Sequence, residues 1–333
     1  MVYAYRCLIL LCALFLSLSV IAETLPIKNS QQEGATRTNP AVKVAVLKYG
    51  TANWELQTMK RLGFDQSNGF ELELLPMANV PGTQIALKSG DVDMIVSDWL
   101  WVSRQREQND PLQMIPYSSS IGQLLVSKGS GIRNISQLKG RRIGVAGGPL
   151  SKGWVILQAY AQSQGIDLVK QSEPVFGAPP LLSHSLNKGD IDALVTFWHY
   201  GVRLQQQGAT VLNDLQQMMA ELGMQSQPPM LGYVFSEAWA EGAPSLVQGF
   251  ATAVRETKQA LANNPDNWLP LRSIMKAEEQ GLFEALQAGY VEGIPAPLSD
   301  SQISDAHRFY SLLHELKLAK TWPDKLDEAS FWR

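Results

Sequence analysis

Residues 87–104, LKSGDVDMIVSDWLWVSR, return ninety-nine positions later as LNKGDIDALVTFWHYGVR, residues 186–203. The two stretches align without a gap, and seven of their eighteen positions are identical. The same offset brings KVAV at 43–46 onto RIGV at 142–145, so the repeat extends beyond one motif. A period this long indicates two similar lobes rather than a solenoid. Clefts between lobes are common sites for small ligands.

Strands and helices are predicted to alternate through both halves of the repeat. Short apolar runs at 42–47, 92–96, 142–146 and 191–196 predict buried strands, and helical patterns follow them. Such alternation favours a mostly parallel, doubly wound sheet. From Pro244 onward, apolar residues recur at helical spacing. The predicted fold class is therefore α/β, with two similar doubly wound lobes around a ligand cleft and a C-terminal helical segment.

The predicted domain organisation begins with a secretory signal peptide at 1–22, where one cation precedes an apolar run that ends in small residues. A single membrane anchor is the alternative. Residues 23–41 are polar and irregular, which predicts a flexible leader. Lobe 1 is assigned to 42–123 and 229–333, including the C-terminal helices, and lobe 2 to 124–228.

The composition excludes several classes of site. Cys7 and Cys12 are the two cysteines, and both lie in the predicted signal, so the mature chain would have no disulfide and no thiolate. Four scattered histidines do not suggest a metal site. The formal net charge of −3 gives no support to a nucleic-acid partner. We expect neither a metal nor a cofactor.

A family resemblance rests on the order of several segments. Three features resemble those of solute-binding proteins of ABC importers. They are NISQLKGRRIGV at 134–145 with the glycine turn after it, the paired Gly-Asp-Val/Ile-Asp segments, and DALVTFWHY at 192–200. The resemblance is to the NMT1-like group for nitrate, sulfonates, taurine and the thiamine pyrimidine precursor. It implies a type II periplasmic-binding-protein-like fold, a periplasmic location, a monomer, and permease and ATPase partners in the inner membrane.

The glycine-rich turn at 147–153, GGPLSKG, links a predicted strand to a predicted helix. A helix N-terminus offers free N–H groups and a partial positive charge, and Lys152 adds a full charge. At the position that the resemblance implies, Gly148, Ser151 and Lys152 are candidates for binding a carboxylate, sulfonate or nitrate. The alternative is a plain turn whose glycines satisfy backbone geometry.

Tryptophans occupy equivalent places in the two repeats. Trp99 and Trp198 follow equivalent strands, at the end where ligands of open α/β sheets bind. An indole there would stack on a ligand or cover its apolar part. The alternative is that both are equivalent core residues. Trp54 and Trp101 are further candidates of the same kind.

Asp98 is the position where the repeat breaks, since its counterpart is Phe197. Its carboxylate is a candidate acceptor for a ligand ammonium or ring N–H, and a helix N-cap is the alternative role. His199 and Tyr200 follow Trp198 and are candidates to face the cleft.

The leading hypothesis is a binding protein that closes two lobes over a small polar or anionic organic solute and delivers it to a permease. An enzyme resembling those of thiamine-pyrimidine synthesis is the second hypothesis. A cysteine-free mature chain without nucleophile or metalloprotease motifs argues against it. A periplasmic sensor or accessory protein is the third.

Overall fold

The computed structural model describes residues 39–317 and 325–333, which form two five-stranded sheets flanked by helices. The strands in this part of the chain are β1 (Ala41–Leu47), β2 (Glu71–Met77), β3 (Met94–Ser97), β4 (Leu112–Ser118), β5 (Gly122–Val126), β6 (Arg142–Ala146), β7 (Glu173–Gly177), β8 (Ala193–Phe197), β9 (Thr210–Asp214) and β10 (Leu231–Ser236). The predicted signal peptide lies outside the described residues, as does the predicted leader up to residue 38. Ala41, the last residue of that leader, already belongs to β1.

Helices follow most of the strands. The described α-helices are α1 (Thr51–Leu62), α2 (Phe64–Ser67), α3 (Val80–Ser89), α4 (Trp99–Glu107), α5 (Lys152–Ser163), α6 (Leu168–Gln171), α7 (Pro179–Lys188), α8 (Trp198–Gln206), α9 (Leu215–Glu221), α10 (Glu237–Gly242), α11 (Pro244–Asn263), α12 (Arg272–Met275), α13 (Gln280–Glu292) and α14 (Asp300–Glu315). Short 3₁₀ helices occupy Ile135–Leu138, Pro265–Leu271 and Glu328–Ser330. None of the helices in the described part of the chain has both the length and the apolar character needed to cross a bilayer.

The two sheets have the same topology. The strand order is β2-β1-β3-β10-β4 in lobe 1 and β7-β6-β8-β5-β9 in lobe 2. In lobe 1, β1 is parallel to β2 and β3, while β10 is antiparallel to β3 and β4. In lobe 2, β6 and β5 take the places of β1 and β10 with the same directions. The predicted two-lobe α/β fold is confirmed.

The predicted mostly parallel sheets are mixed: four strands of each sheet share one direction and the fifth runs against them, so two pairs are parallel and two are antiparallel. β5 and β10 each enter a sheet from the other lobe and run against its other strands. β5 starts at Gly122, within the range assigned to lobe 1, yet it pairs in the lobe 2 sheet. A Cβ at Gly122 would lie 1.9 Å from the Thr196 carbonyl oxygen, so glycine permits the strand to begin there.

The repeated Gly-Asp-Val/Ile-Asp segment has the same backbone function in both lobes. Gly90 and Gly189 end α3 and α7 with φ values of +77° and +78°, a conformation that favours glycine. The Asp93 carboxylate accepts the Lys43 N–H at 2.8 Å, and that of Asp192 accepts the N–H of Arg142 at 2.8 Å. The aspartates therefore fix the start of β1 and β6.

Helix α14 contacts both lobes. Phe309 packs edge-on against Trp99 at the start of α4, with ring centroids 5.7 Å apart. On the other lobe, the Asp305 carboxylate accepts the N–H of Ser226 at 2.6 Å. Buried residues of α4, α5 and α14 share one apolar cluster. The C-terminal helical segment is thus part of the core that joins the lobes.

Candidate functional site

A cavity of about 280 Å³ lies between the two sheets. It is lined where β1, β3, β6 and β8 end and where α1, α4, α5 and α8 begin. The carboxyl ends of strands are the usual ligand position in open α/β sheets. The volume lies just below the range of about 300–1,000 Å³ that is usual for pockets that bind organic ligands.

The N-termini of three helices lie at this cavity, and none of them has a side-chain cap. The N-cap residues of α1, α5 and α8 are Gly50, Ser151 and Phe197, and none of their side chains accepts a hydrogen bond from the helix. The first N–H groups of a helix have no partner within it and carry a partial positive charge. All three N-cap residues line the cavity. The arrangement favours an anionic or strongly accepting group.

Three cavity-lining side chains carry buried polar atoms that have no hydrogen-bond partner among the described residues. They are Ser151 Oγ, Thr196 Oγ1 and His199 Nδ1. A buried polar group without a partner costs about 1–3 kcal/mol. Burial, with a smaller contribution from Arg203, lowers the pKa of His199 to about 3. The imidazole is therefore neutral near pH 7, and it is able to donate or accept a hydrogen bond.

Asp98 and Lys152 form an ion pair across the cavity. Lys152 Nζ, on lobe 2, donates to Asp98 Oδ2, on lobe 1, at 2.9 Å. Asp98 Oδ1 also accepts the Trp101 N–H at 2.9 Å, so Asp98 is the N-cap of α4. Burial raises the pKa of Asp98, but Lys152, the Trp101 N–H and Arg104 together hold it below the usual value. The two formal charges on the described lining cancel each other.

Most of the remaining lining is apolar. It includes Val46, Leu47, Val80, Val96, Ile121, Leu150, Val195, Leu215 and Leu231. An apolar wall favours the hydrocarbon part of a ligand, whereas the polar groups fix its orientation. No cluster of three or more potential metal ligands occurs within residues 39–317 and 325–333.

A buried polar network supports the cavity on the side of lobe 1. Tyr117 donates its hydroxyl proton to Thr51 Oγ1 at 2.8 Å, and both residues line the cavity. Behind them, the Glu55 carboxylate accepts hydrogen bonds from Lys258, Tyr233 and Tyr290. Burial is the largest cause, and the Glu55 charge the next, of a pKa well above the usual value in Tyr117, Tyr233 and Tyr290. The three hydroxyls therefore remain donors.

The sequence analysis missed this network, although one signal for it exists. Phe250, Val254 and Lys258 follow one another at four-residue spacing on α11, so a lysine interrupts an apolar stripe. A charge on the core-facing side of a helix requires a buried partner. Thr51 and Thr196, which also line the cavity, carried no comparable signal.

Five of the ten predicted site residues line the cavity, namely Asp98, Ser151, Lys152, Trp198 and His199. The other five are not among its lining residues. Gly148 lies in the turn before α5, and Tyr200 packs on His199 with ring centroids 4.6 Å apart. Trp54 is buried behind Trp198, with an edge-on contact at 6.2 Å, so it supports a lining residue.

The predicted cleft positions of Trp99 and Trp101 are wrong. Trp99 is fully buried between Phe309 and Phe331, and Trp101 belongs to the same apolar cluster. The cause is α14, which covers this side of α4 and converts an equivalent strand end into core. For Trp99 the alternative of a core residue is correct, and for Asp98 the N-cap role is also confirmed.

A family model described as NMT1/THI5 like matches residues 56–268. The chain belongs to the NMT1/THI5-like family. The chain is also similar to the taurine-binding periplasmic protein of Escherichia coli (strain K12), with 30% identity over 214 residues. That alignment covers 62% of this chain and 63% of the relative, less than two thirds of the relative's length.

Solved structures share the fold of this NMT1/THI5-like chain. The alkanesulfonate-binding protein SsuA from Xanthomonas axonopodis pv. citri, bound to MOPS, has a TM-score of 0.69 and 17% identity, covering 89% of this chain and 99% of that chain. The desulfurization enzyme DSZB has a TM-score of 0.60 and 17% identity, covering 87% and 96%. The two-lobe fold is therefore shared by binding proteins and an enzyme.

Proposed function

We propose that the chain is the periplasmic solute-binding component of an ABC importer. It captures a small organic solute in the cavity between the lobes and delivers it to permease and ATPase subunits in the inner membrane. The taurine-binding relative supports this role, and so does a fold like that of an alkanesulfonate-binding protein. The protein acts as a monomer.

The proposed ligand has an anionic or strongly accepting head, as sulfonates do, and a short apolar body. The observation that carries this proposal is the convergence of uncapped N-termini of α1, α5 and α8 with the unpartnered Ser151, Thr196 and His199 groups. A ligand head there would receive hydrogen bonds that these donors do not make to the protein. In a water-poor cavity each of those bonds is stronger than in solvent.

Capture proceeds by hinge closure in this proposal. Both lobes contribute lining residues, so a ligand held between them bridges two bodies and favours the closed arrangement. The hinge consists of the connections that lead into β5 and β10, the strands that pass from one lobe to the other. The ligand leaves unchanged, since the protein is proposed to bind and release it without turnover.

The proposal is tested by calorimetric titration of the purified protein with taurine, butane-1-sulfonate, MOPS and nitrate. Binding of at least one sulfonate is expected, with the solute recovered intact by mass spectrometry. Saturation at a hundred times the dissociation constant would stabilise the fold by about 2.7 kcal/mol. Chemical conversion of a bound solute would contradict the transport role, and no binding of any sulfonate would contradict the ligand class.

Thr196→Val provides a site-specific test. Because Thr196 Oγ1 is buried without a partner, its removal should leave the free energy of unfolding unchanged or raise it. Sulfonate affinity should fall about tenfold, as expected for the loss of one hydrogen bond to a charged group. Thr257→Val is the matched control. The Thr257 hydroxyl donates to the Ala253 carbonyl at 2.7 Å, away from the cavity lining, so this variant should lose stability and keep affinity.

A further inference from the structure

The Asp98–Lys152 pair places a fixed negative charge inside a site that otherwise favours anions. Asp98 Oδ2 and Lys152 Nζ are 2.9 Å apart, and each belongs to a different lobe. Both side chains are mostly shielded from solvent, with 28% and 16% exposure. Lys152, in the glycine-rich turn, is a candidate to bind the ligand head, yet Asp98 already neutralises its charge.

Because a lysine ammonium has three donors, a simple anion that binds Lys152 would either draw it away from Asp98 or lie beside the Asp98 carboxylate. Asp98 would then keep its charge beside the incoming anion, where the Trp101 N–H and the nearby Arg104 charge would still act on it. Weakening a shielded ion pair is unfavourable, because the remaining charge loses its nearest opposite charge. An anion with no second charge therefore binds against an electrostatic penalty.

We propose that Asp98 is a specificity-determining residue that selects solutes carrying an ammonium group together with an anionic head. Such a zwitterion exchanges partners with the protein, its ammonium pairing with Asp98 and its anion with Lys152, so that no charge in the cavity loses its partner. This inference rests on the proposed function and narrows its ligand class. It also assigns Asp98 a role beyond capping α4.

Three probes of closely matched size separate charge from shape. 3-Aminopropane-1-sulfonate is a zwitterion, butane-1-sulfonate replaces its ammonium by a methyl group, and butane-1-sulfonamide carries no charge. Each is titrated into the full-length wild-type protein and into Asp98→Asn. Asparagine caps a helix about as well as aspartate, so this variant removes the charge and keeps the cap. Asp110→Asn is the control, because Asp110 pairs with Lys88 outside the cavity lining.

The wild-type protein should bind the zwitterion at least about tenfold more tightly than butane-1-sulfonate. In Asp98→Asn this preference should disappear or reverse, because the anion gains affinity and the zwitterion loses it. Affinity for the sulfonamide should change by less than about threefold, a difference of well under 1 kcal/mol. Asp110→Asn should retain the wild-type preference.

The outcomes separate the inference from the proposed function. Equal or tighter binding of butane-1-sulfonate by the wild type, or an unchanged preference in Asp98→Asn, overturns the role of Asp98 and leaves sulfonate binding in place. An equal loss of all three affinities in Asp98→Asn assigns the residue to helix capping alone and also overturns it. Absence of binding to every probe by both proteins overturns the proposed ligand class and the inference together.

Discussion

Trp99 and Trp198 occupy equivalent positions in the repeat but have different surroundings. Trp99 follows β3 and is fully buried against Phe309 and Phe331. Trp198 follows β8, remains partly exposed, lines the cavity and contacts Trp54 edge-on. The strand-to-helix geometry is the same on both sides. The repeat therefore sets the backbone, whereas a distant helix, α14, decides which indole becomes core and which reaches the cavity.

The largest expected effect comes from truncating each tryptophan. Trp99→Ala should lower the free energy of unfolding by about 3–5 kcal/mol, the range for losing a fully buried large aromatic side chain. Trp198→Ala should cost about 1–2 kcal/mol, because part of this indole is already exposed. Urea denaturation of both variants measures the difference. Ligand affinity should fall in Trp198→Ala. It should not fall in Trp99→Ala, measured on the fraction of that variant that is folded.

Trp239→Ala is the control for removal of an indole as such. Trp239 is half-buried against Phe235, away from the cavity lining, and should lose stability to about the same extent as Trp198→Ala with no loss of affinity. Equal losses of stability for Trp99→Ala and Trp198→Ala would mean that α14 does not distinguish the two positions.

A smaller effect is expected from moving Trp198 without removing it. A Cβ at Gly289 on α13 would lie 2.7 Å from Cζ3 of the Trp198 ring, so Gly289→Ala forces that ring to shift. We expect a loss of about 1–3 kcal/mol, typical of an overpacked contact, and weaker sulfonate binding. Gly281→Ala on the same helix is the matched control, since its nearest neighbour is Gln206 Oε1 at 3.6 Å. Unchanged affinity in Gly289→Ala would show that the ring position does not matter for capture.

The fold could be predicted from sequence further than the site could. The repeat and the apolar runs depend on local patterns, and these recovered the lobes and most strands. β9 was missed because Thr210–Asp214 is a short strand with no fully buried residue and carries little apolar pattern. The short helix α9, which directly follows β9, was missed with it. Trp99 was misplaced because its partner Phe309 is about two hundred residues away. The pairing of Asp98 with Lys152 likewise depends on how the lobes meet, which no local pattern encodes.

The smallest effect comes from making lobe 2 imitate lobe 1 at the N-cap position after its central parallel strand. Phe197 is the exposed, non-capping counterpart of Asp98, so Phe197→Asp would place a carboxylate at the N-terminus of α8. A new cap should stabilise the protein by about 0.5–1 kcal/mol, so thermal stability should rise. The same carboxylate would occupy the N–H groups that are proposed to hold the ligand head, and its charge would repel an anionic head. Affinity for butane-1-sulfonate should therefore fall. Phe197→Ser, which caps without charge, separates the two causes. If Phe197→Asp gains stability without losing affinity, the ligand head does not lie at α8, and the uncapped ends of α1 and α5 are then the ones that hold it.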